Sequence, residues 1–195
     1  MHLLNTETLR LESFAGSSIP DYAILSHTWD EEEILFGDIC DPSKPLPVNK
    51  RGFAKIKGSC DQARQHEYSY IWIDACCIDK SSSAELSEAI NSMFQWYQNS
   101  GCCYAYLADI DQPQGHGTTT NMIEDSRWFT RGWTLQELIA PRSVLFYDSN
   151  WNFIGERDDL SDSNALTKTI CQRTGIPSRY CAKDVLGSAS VNNPS

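Results

Sequence analysis

The alternation of two kinds of apolar pattern constrains the fold of this chain most. Short runs rich in β-branched and aromatic residues alternate with segments in which apolar residues recur every three or four positions. The run Tyr68–Asp74 is apolar nearly throughout, which is typical of a strand buried on both faces. Such alternation predicts an α/β protein with a mostly parallel sheet and helices on both of its faces. The predicted strands are Tyr22–Ser26, Tyr68–Asp74, Cys102–Leu107 and Ser143–Asp148.

The segments between these strands predict three helices. The first runs from Lys50 to His66, and the second begins at a Ser82/Glu85 capping box and ends near Asn99. A short helix from Trp133 to Ala140 is ended by Pro141, which cannot continue a helix. We expect the apolar residues of the last two helices to face the core: Leu86, Ile90, Met93, Phe94 and Tyr97 in one, and Leu135, Leu138 and Ile139 in the other.

The remaining segments divide the chain into three parts. Residues 1–20 are predicted to be lead-in strands, with a hairpin around Asn5–Thr8. Residues 21–155 form the main domain, within which Asp111–Asn121 is a Gly/Thr-rich loop. Residues 156–195 are expected to hold a helix from Leu160 to Arg173, followed by a small, polar, frayed tail from Gly187.

Charge and composition exclude several classes of function. The net charge of −10 argues against a protein that binds nucleic acid or an anionic membrane through bulk electrostatics. No apolar run approaches the roughly 18 residues of a membrane helix, and Met1–Asn5 does not begin a secretory signal. We therefore expect a cytoplasmic protein that binds neither nucleic acid nor membrane.

The eight cysteines are predicted to be reduced thiols, most of them buried. They contain no Cys-x-x-Cys pair, and the adjacent pairs Cys76–Cys77 and Cys102–Cys103 lie in strand-like segments, where neighbours point to opposite faces. The sequence therefore predicts no metal site.

Polar residues follow the predicted strands at the edge where open α/β sheets bind ligands. Ser26 and His27 end the first strand and Asp74 ends the second, and this edge also receives the start of the Trp133–Ala140 helix. Glu137 lies in that helix among aromatic residues, where desolvation disfavours its charged form unless a cation such as Arg127 or Arg131 pairs with it. A structural ion pair on the helix surface explains Glu137 equally well.

Two chemistries remain open at this edge. Gly-x-Gly-x-x-Gly, Walker and Gly-x-Ser-x-Gly motifs are absent from the sequence. Cys76 or Cys77 with His27 would be a thiol nucleophile and base. Glu137 paired with Asp74, or with Asp30, would stabilise the oxocarbenium-like transition state of glycoside cleavage.

Three blocks of the sequence closely resemble the fungal heterokaryon incompatibility (HET) domain. They are Tyr22–Trp29, Tyr70–Lys80 and Ser126–Pro141, in the order of the family, and the resemblance runs from about Leu3 to about Gly155. It implies a fungal protein that triggers programmed cell death after non-self recognition, as a form of innate immunity.

A more distant similarity connects the HET pattern to Toll/interleukin-1 receptor (TIR) domains. The segment Trp133–Leu138 is similar to the Trp-Cys-Leu-x-Glu-Leu helix of plant TIR domains. This likeness implies a flavodoxin/TIR-like fold with HET-specific additions and an NAD glycohydrolase, with Glu137 as the catalytic residue. NAD or a related nucleotide would be its substrate, with no cofactor and no metal. The residues implied to bind substrate are Ser26, His27, Trp29, Asp74, Cys76, Lys80, Arg131 and Trp133.

The TIR likeness also implies assembly. It predicts a homo-oligomer on activation and an upstream receptor-type partner. This sequence departs from TIR domains in its His27–Trp29 motif and in an insertion at Gly115–Asp125. The alternative is a non-catalytic, self-associating signalling module that uses the acidic loop Asp30–Glu33 and the loop after Asp74.

Overall fold

A single seven-stranded sheet organises the chain. The structure is a computed structural model that describes residues 1–111, 123, 125–157 and 165–176. Within these residues the strands are β1 (His2–Asn5), β2 (Leu11–Ser13), β3 (Ala23–His27), β4 (Tyr70–Ile73), β5 (Cys102–Tyr106), β6 (Val144–Tyr147) and β7 (Phe153–Glu156). They are ordered β2-β1-β4-β3-β5-β6-β7.

The centre of the sheet is parallel, as the alternation predicts. Strand β3 pairs in parallel with both β4 and β5, and β5 pairs in parallel with β6. The outer strands β1, β2 and β7 are antiparallel to their neighbours. All five residues of β3 are buried, which explains why its sequence is a continuous apolar run rather than an alternating one. The α/β prediction is confirmed.

Five α-helices and two short 3₁₀ helices lie among the described residues. They are α1 (Phe36–Ile39), α2 (Gly52–Gln65), α3 (Ser83–Asn99), α4 (Thr134–Ile139), α5 (Ala165–Thr174) and a 3₁₀ helix at Arg127–Thr130, with a further 3₁₀ turn at Gly16–Ser18. Helix α3 begins as its capping box predicts, because the Ser82 hydroxyl accepts a hydrogen bond from the backbone N–H of Glu85. The crossovers β4–α3–β5 and β5–α4–β6 run in the same direction across the sheet, so α3 and α4 pack side by side on one face.

The predicted apolar faces of α3 and α4 are partly wrong. Of the three apolar residues predicted to face the core from α4, Leu138 is buried, whereas Leu135 is 51% exposed and Ile139 is 38% exposed. In α3 the side chains of Met93 and Tyr97 are buried, but Ile90 and Phe94 are exposed. Periodicity identified both helices but not their orientation, since α4 instead turns Thr134, Glu137 and Leu138 inward.

The boundaries of the chain's two ends differ from the predicted ones. The N-terminal hairpin is present, but β1 is not an edge strand, because it also pairs antiparallel with β4. The last helix, α5, is described from Ala165 to Thr174, and its predicted start at Leu160 lies outside the described residues. Strand β7 and helix α1 were not predicted. Most of the loop predicted at Asp111–Asn121 and the whole tail from Gly187 lie outside the described residues.

The core fills both sides of the central strands with large side chains. The largest fully buried ones include Trp72, Trp128, Tyr97, Tyr104 and Phe146. Among the described residues, no helix is long and apolar enough to cross a membrane.

Candidate functional site

The carboxylate of Glu137 lies at the carboxyl edge of the parallel strands, and only 3% of its side chain is exposed. The Ser26 hydroxyl at the end of β3 donates to its Oε2 over 2.5 Å. Arg131 donates from Nη1 to Oε2 over 2.7 Å and from Nη2 to Oε1 over 2.9 Å. This two-point contact is the strong fork geometry of arginine and carboxylate. Of the two candidate cations, Arg131 is therefore the partner of Glu137.

A buried indole fixes the direction of the Ser26 hydroxyl. Trp128 is fully buried, and its Nε1–H donates to Ser26 Oγ over 2.7 Å. Because an indole nitrogen can only donate, the Ser26 hydrogen is left to point at Glu137. The Thr134 hydroxyl donates to the carbonyl oxygen of Trp128, which joins the 3₁₀ turn to α4. The Trp128–Ser26–Glu137 chain thus gives the carboxylate a rigid inner support.

The ion pair keeps the Arg131 guanidinium charged. Burial lowers the pKa of the Arg131 guanidinium, but the charge of Glu137 and its hydrogen bonds outweigh that effect and raise the pKa above its ordinary value. Arg131 therefore stays charged throughout the accessible pH range. Only 16% of its side chain is exposed, so it covers Glu137 on the side toward solvent.

A second polar cluster lies on the same edge around Asp74, directly after β4. His27 Nε2 is 3.0 Å from Asp74 Oδ1, and the Trp29 indole N–H contacts both carboxylate oxygens at 3.2 and 3.0 Å. The Lys80 ammonium donates to the carbonyl oxygens of Asp74 and Ala75, and it lies 4.2 Å from the centre of the Trp29 ring. These contacts hold the loop after β4 against the loop after β3.

The electrostatics of this cluster favour an ionised Asp74 beside a charged Lys80. Burial opposes ionisation, but the hydrogen bond and charge of His27, together with the charges of Arg131 and Lys80, hold the pKa of Asp74 below its ordinary value. Burial lowers the pKa of Lys80, against the attraction of Asp74. Because an ionised carboxylate only accepts hydrogen bonds, the shared hydrogen belongs to His27 Nε2.

The two carboxylates are bound by consecutive residues of β3, Glu137 by Ser26 and Asp74 by His27. Arg131 is hydrogen-bonded to Glu137, and its positive charge also helps to lower the pKa of Asp74. Asp74 and Glu137 share no hydrogen bond among those of the described residues. The predicted pairing of Glu137 with Asp74 is therefore not a direct hydrogen bond.

The other predicted site residues lie in different surroundings. The Cys76 thiol is fully buried, and its neighbour Cys77 together with burial raises its pKa well above the ordinary value, so it stays protonated. Trp133 is the N-cap residue of α4 and is 48% exposed. Asp30 lies near Lys55 and Arg127 rather than against Glu137. Of the two sequence-predicted pairings for Glu137, the one with Asp30 is therefore not formed.

An open cavity of about 790 Å³ lies beside this edge. Trp29 from the Asp74 cluster and Tyr106 from the end of β5 form part of its wall. The remaining lining is charged and of mixed sign: Asp30, Glu31, Glu32, Arg51, Lys55 and Arg127, with Gly52 and Ala54. The Lys55 ammonium is buried against Glu33 at its base. No group of three or more His, Cys, Asp or Glu side chains suited to a metal occurs within the residues the structure describes.

Two residues of this region escaped the sequence analysis. Trp128 was part of the aromatic stretch, but nothing in its spacing distinguished it from Trp133. Arg157 follows β7 and is 3% exposed. Its guanidinium donates to the carbonyl oxygens of Leu138, Pro141 and Arg142, which are left open where α4 ends. A lone arginine after a strand gives no sequence signal of such a role.

Comparison with known proteins identifies the family. The family model of the heterokaryon incompatibility protein (HET) matches residues 22–122, about half of the chain. The vegetative incompatibility protein HET-E-1 of Podospora anserina is 44% identical over 184 residues. The chain belongs to the HET family. No solved structure gives a significant match to this HET chain.

The two matches cover different amounts of sequence. The HET family model spans Ser26 and the Asp74 cluster but ends before Arg131 and Glu137. The match to HET-E-1 covers 91% of this chain and 13% of that protein. This HET chain therefore corresponds to a small part of a much longer relative.

Proposed function

We propose that the chain acts in fungal incompatibility as the effector of a cell-death response. Membership of the HET family supports this role, and so does the 44% identity to a vegetative incompatibility protein. The proposed place of action is the cytoplasm, with activation by a receptor-type partner and by assembly into a homo-oligomer. Expression of the chain in a fungal host, with loss of viability as the readout, tests the role.

The chemistry that we propose is hydrolysis of the nicotinamide–ribose bond of NAD or a related nucleotide. Its main support is the desolvated Glu137 carboxylate, held by Ser26, Trp128 and Arg131 at the ligand-binding edge of a parallel sheet. As the C–N bond breaks, its electron pair leaves with nicotinamide, which becomes neutral, and positive charge develops on the ribose. A nearby carboxylate stabilises that charge. Water then adds to the ribose carbon and releases a proton.

The surrounding residues take proposed roles that follow from their contacts. Ser26 orients the carboxylate, and the His27–Asp74–Trp29 cluster fixes the wall beside it. The cavity between Trp29 and Tyr106, at about 790 Å³, is in the size range of ligand sites and would take the rest of the nucleotide. Lys80 holds the loop after β4 closed on this wall. The buried Cys76 and the outward-facing Trp133 shape the surroundings rather than contact the reacting atoms.

Release of nicotinamide from NAD by the purified chain tests this reaction. Glu137→Gln keeps the shape of the side chain and removes its charge, so we expect nicotinamide release to fall by at least about 100-fold. The matched control is Glu156→Gln, because Glu156 also accepts a hydrogen bond from a serine, Ser143, but lies away from the site on β7. Equal activity of the two variants, or no turnover by the wild type in dilute and concentrated samples, refutes the reaction.

The second candidate is a non-catalytic module that signals by self-association. Exposed apolar side chains on the outer side of the α4 region favour it: Trp133, Leu135 and Ile139. The acidic loop Asp30–Glu32 is also exposed. Cell death that survives Glu137→Gln but is lost with charge-reversing substitutions at Asp30 and Glu31 would support this function over the enzyme.

A further inference from the structure

The Glu137 carboxylate cannot meet a ligand in the arrangement described above. Both of its oxygens are occupied, Oε1 by Arg131 and Oε2 by Arg131 and Ser26, and the side chain is 3% exposed. Any molecule that reaches this carboxylate must first displace one of these donors. The site as it stands is therefore closed.

The two donors differ in how easily they can move. Ser26 belongs to the central strand β3, is fully buried, and is held in turn by the Trp128 indole. Arg131 lies in the turn between the 3₁₀ helix and α4, and it is the partly exposed member of the pair. It is followed by the exposed Gly132 and Trp133, and a side chain built onto Gly132 would touch nothing. The outer donor can therefore leave while the inner donor stays.

A displaced Arg131 would not be left without a negative partner. Glu137 is bound by Ser26 and Asp74 by His27, the next residue of β3, so both carboxylates lie at the same strand end. The positive charge of Arg131 also acts on Asp74. A charged guanidinium taken from one carboxylate and left alone would carry a large desolvation penalty. A second acid at the same strand end lowers that penalty, which is the condition for two arrangements of similar free energy.

We propose that Arg131 is a two-position latch, closed on Glu137 in the structure described here and open when its guanidinium moves toward Asp74. The latch regulates the site of the proposed function and rests on that proposal only for its biological purpose. In the closed position Glu137 is neutralised and shielded. In the open position the carboxylate keeps its Ser26 hydrogen bond and presents one free oxygen toward solvent.

Chemical labelling of carboxyl groups tests the latch without any need for catalysis. The full chain is treated with a water-soluble carbodiimide and an amine nucleophile, and the adduct at Glu137 is measured by peptide mass spectrometry. Arg131→Gln removes the closed position, so we expect labelling of Glu137 to rise by about tenfold or more over the wild type. Arg131→Lys keeps the charge but not the fork, and should give an intermediate value.

The matched control is Arg142→Gln. It removes the same charge from an exposed arginine just beyond α4 and should leave Glu137 labelling at the wild-type level. A variant that unfolds would label the other buried acids among the described residues, such as Glu33, as well. Labelling of Glu137 without a rise at Glu33 therefore identifies opening of the latch alone, and a parallel rise at both in Arg131→Gln and Arg131→Lys counts against it.

Asp74→Asn tests the open position separately. Without the second acid the open state loses its counter-ion, so labelling of Glu137 should fall below that of the wild type by about threefold or more. Unchanged or increased labelling in Asp74→Asn overturns the two-position latch. If no variant releases nicotinamide but the labelling follows this order, the latch stands and the proposed hydrolase reaction fails.

Discussion

The most informative perturbation of this fold is the removal of one hydroxyl, in Ser26→Ala. That hydroxyl accepts from Trp128 over 2.7 Å and donates to Glu137 over 2.5 Å, and all three residues are buried. Its loss leaves the indole N–H of Trp128 without an acceptor, which costs about 2 kcal/mol. The substitution also removes one hydrogen-bond donor to the Glu137 carboxylate. This loss costs only about 1–2 kcal/mol of unfolding free energy, because Arg131 still pairs with Glu137.

The expected decrease in the free energy of unfolding is therefore about 3–4 kcal/mol. Urea denaturation followed by circular dichroism measures it, and with a slope of about 2–3 kcal/mol per molar the midpoint should fall by more than about 1 M. Ser143→Ala is the matched control, because that hydroxyl also donates to a glutamate, Glu156, but in a partly exposed position. It should cost about 1 kcal/mol or less.

A double-mutant cycle decides whether the cost has the stated origin. Trp128→Phe alone removes the indole N–H donor and part of the ring that packs against Phe129 and Phe146. We expect this substitution to lower the free energy of unfolding by about 3 kcal/mol. In the Ser26→Ala background the indole N–H of Trp128 has already lost its acceptor, and Trp128→Phe removes that unpaired group. There Trp128→Phe should therefore lower the free energy of unfolding by about 2 kcal/mol less than it does in the wild type. Additive effects within about 0.5 kcal/mol would refute a Trp128–Ser26 hydrogen bond as the support of the carboxylate.

Three further predictions concern the surroundings of the site. Gly58→Ala places a methyl group 2.1 Å from the indole nitrogen of Trp151, so we expect about 1–3 kcal/mol of destabilisation in thermal melts. Ser82→Ala removes the N-cap of α3 and should lower the unfolding free energy by about 1 kcal/mol in urea titrations. The pKa of Asp74 is lower in the folded chain than its ordinary value of 3.8. Ionised Asp74 therefore stabilises the fold at pH values above 3.8, and this stabilisation is lost as the pH falls through the pKa of the folded state. The stability difference between wild type and Asp74→Asn should therefore shrink between about pH 6 and pH 3, and a difference that grows would contradict this assignment.

The backbone architecture could be read from local patterns, whereas the site could only be approximated. The continuous apolar runs at β3 and β4 predict parallel strands that are buried on both faces, because a strand with one face in water would alternate apolar and polar residues. The ends of these strands predict that Ser26, His27 and Asp74 lie at one edge of the sheet, and in the structure all three lie at that edge. The choice of Arg131 over Arg127 as the partner of Glu137 depends on how the 3₁₀ turn is oriented, which no local pattern encodes.

Helix orientation was the main failure of sequence reasoning. In α4 the residues Leu135 and Ile139 have the spacing of a core face, but the helix buries Glu137 instead, because Ser26 and Arg131 supply the hydrogen bonds that make burial of a carboxylate tolerable. Those partners are far away in sequence or in a different turn, so hydrophobic periodicity could not reveal them. Trp128 was overlooked for the same reason, since its acceptor lies 102 positions earlier in the chain.

The central position of β3 has a consequence for protein synthesis. The strand that supplies Ser26 leaves the ribosome well before its hydrogen-bonded acid, which comes 111 positions later. Both neighbours of β3 in the sheet also follow it in the chain, so the nascent segment must wait for its pairing partners. A translation product that stops just before α4 therefore holds Ser26, Trp128 and Arg131 but lacks Glu137, so the site is completed only when α4 has been made.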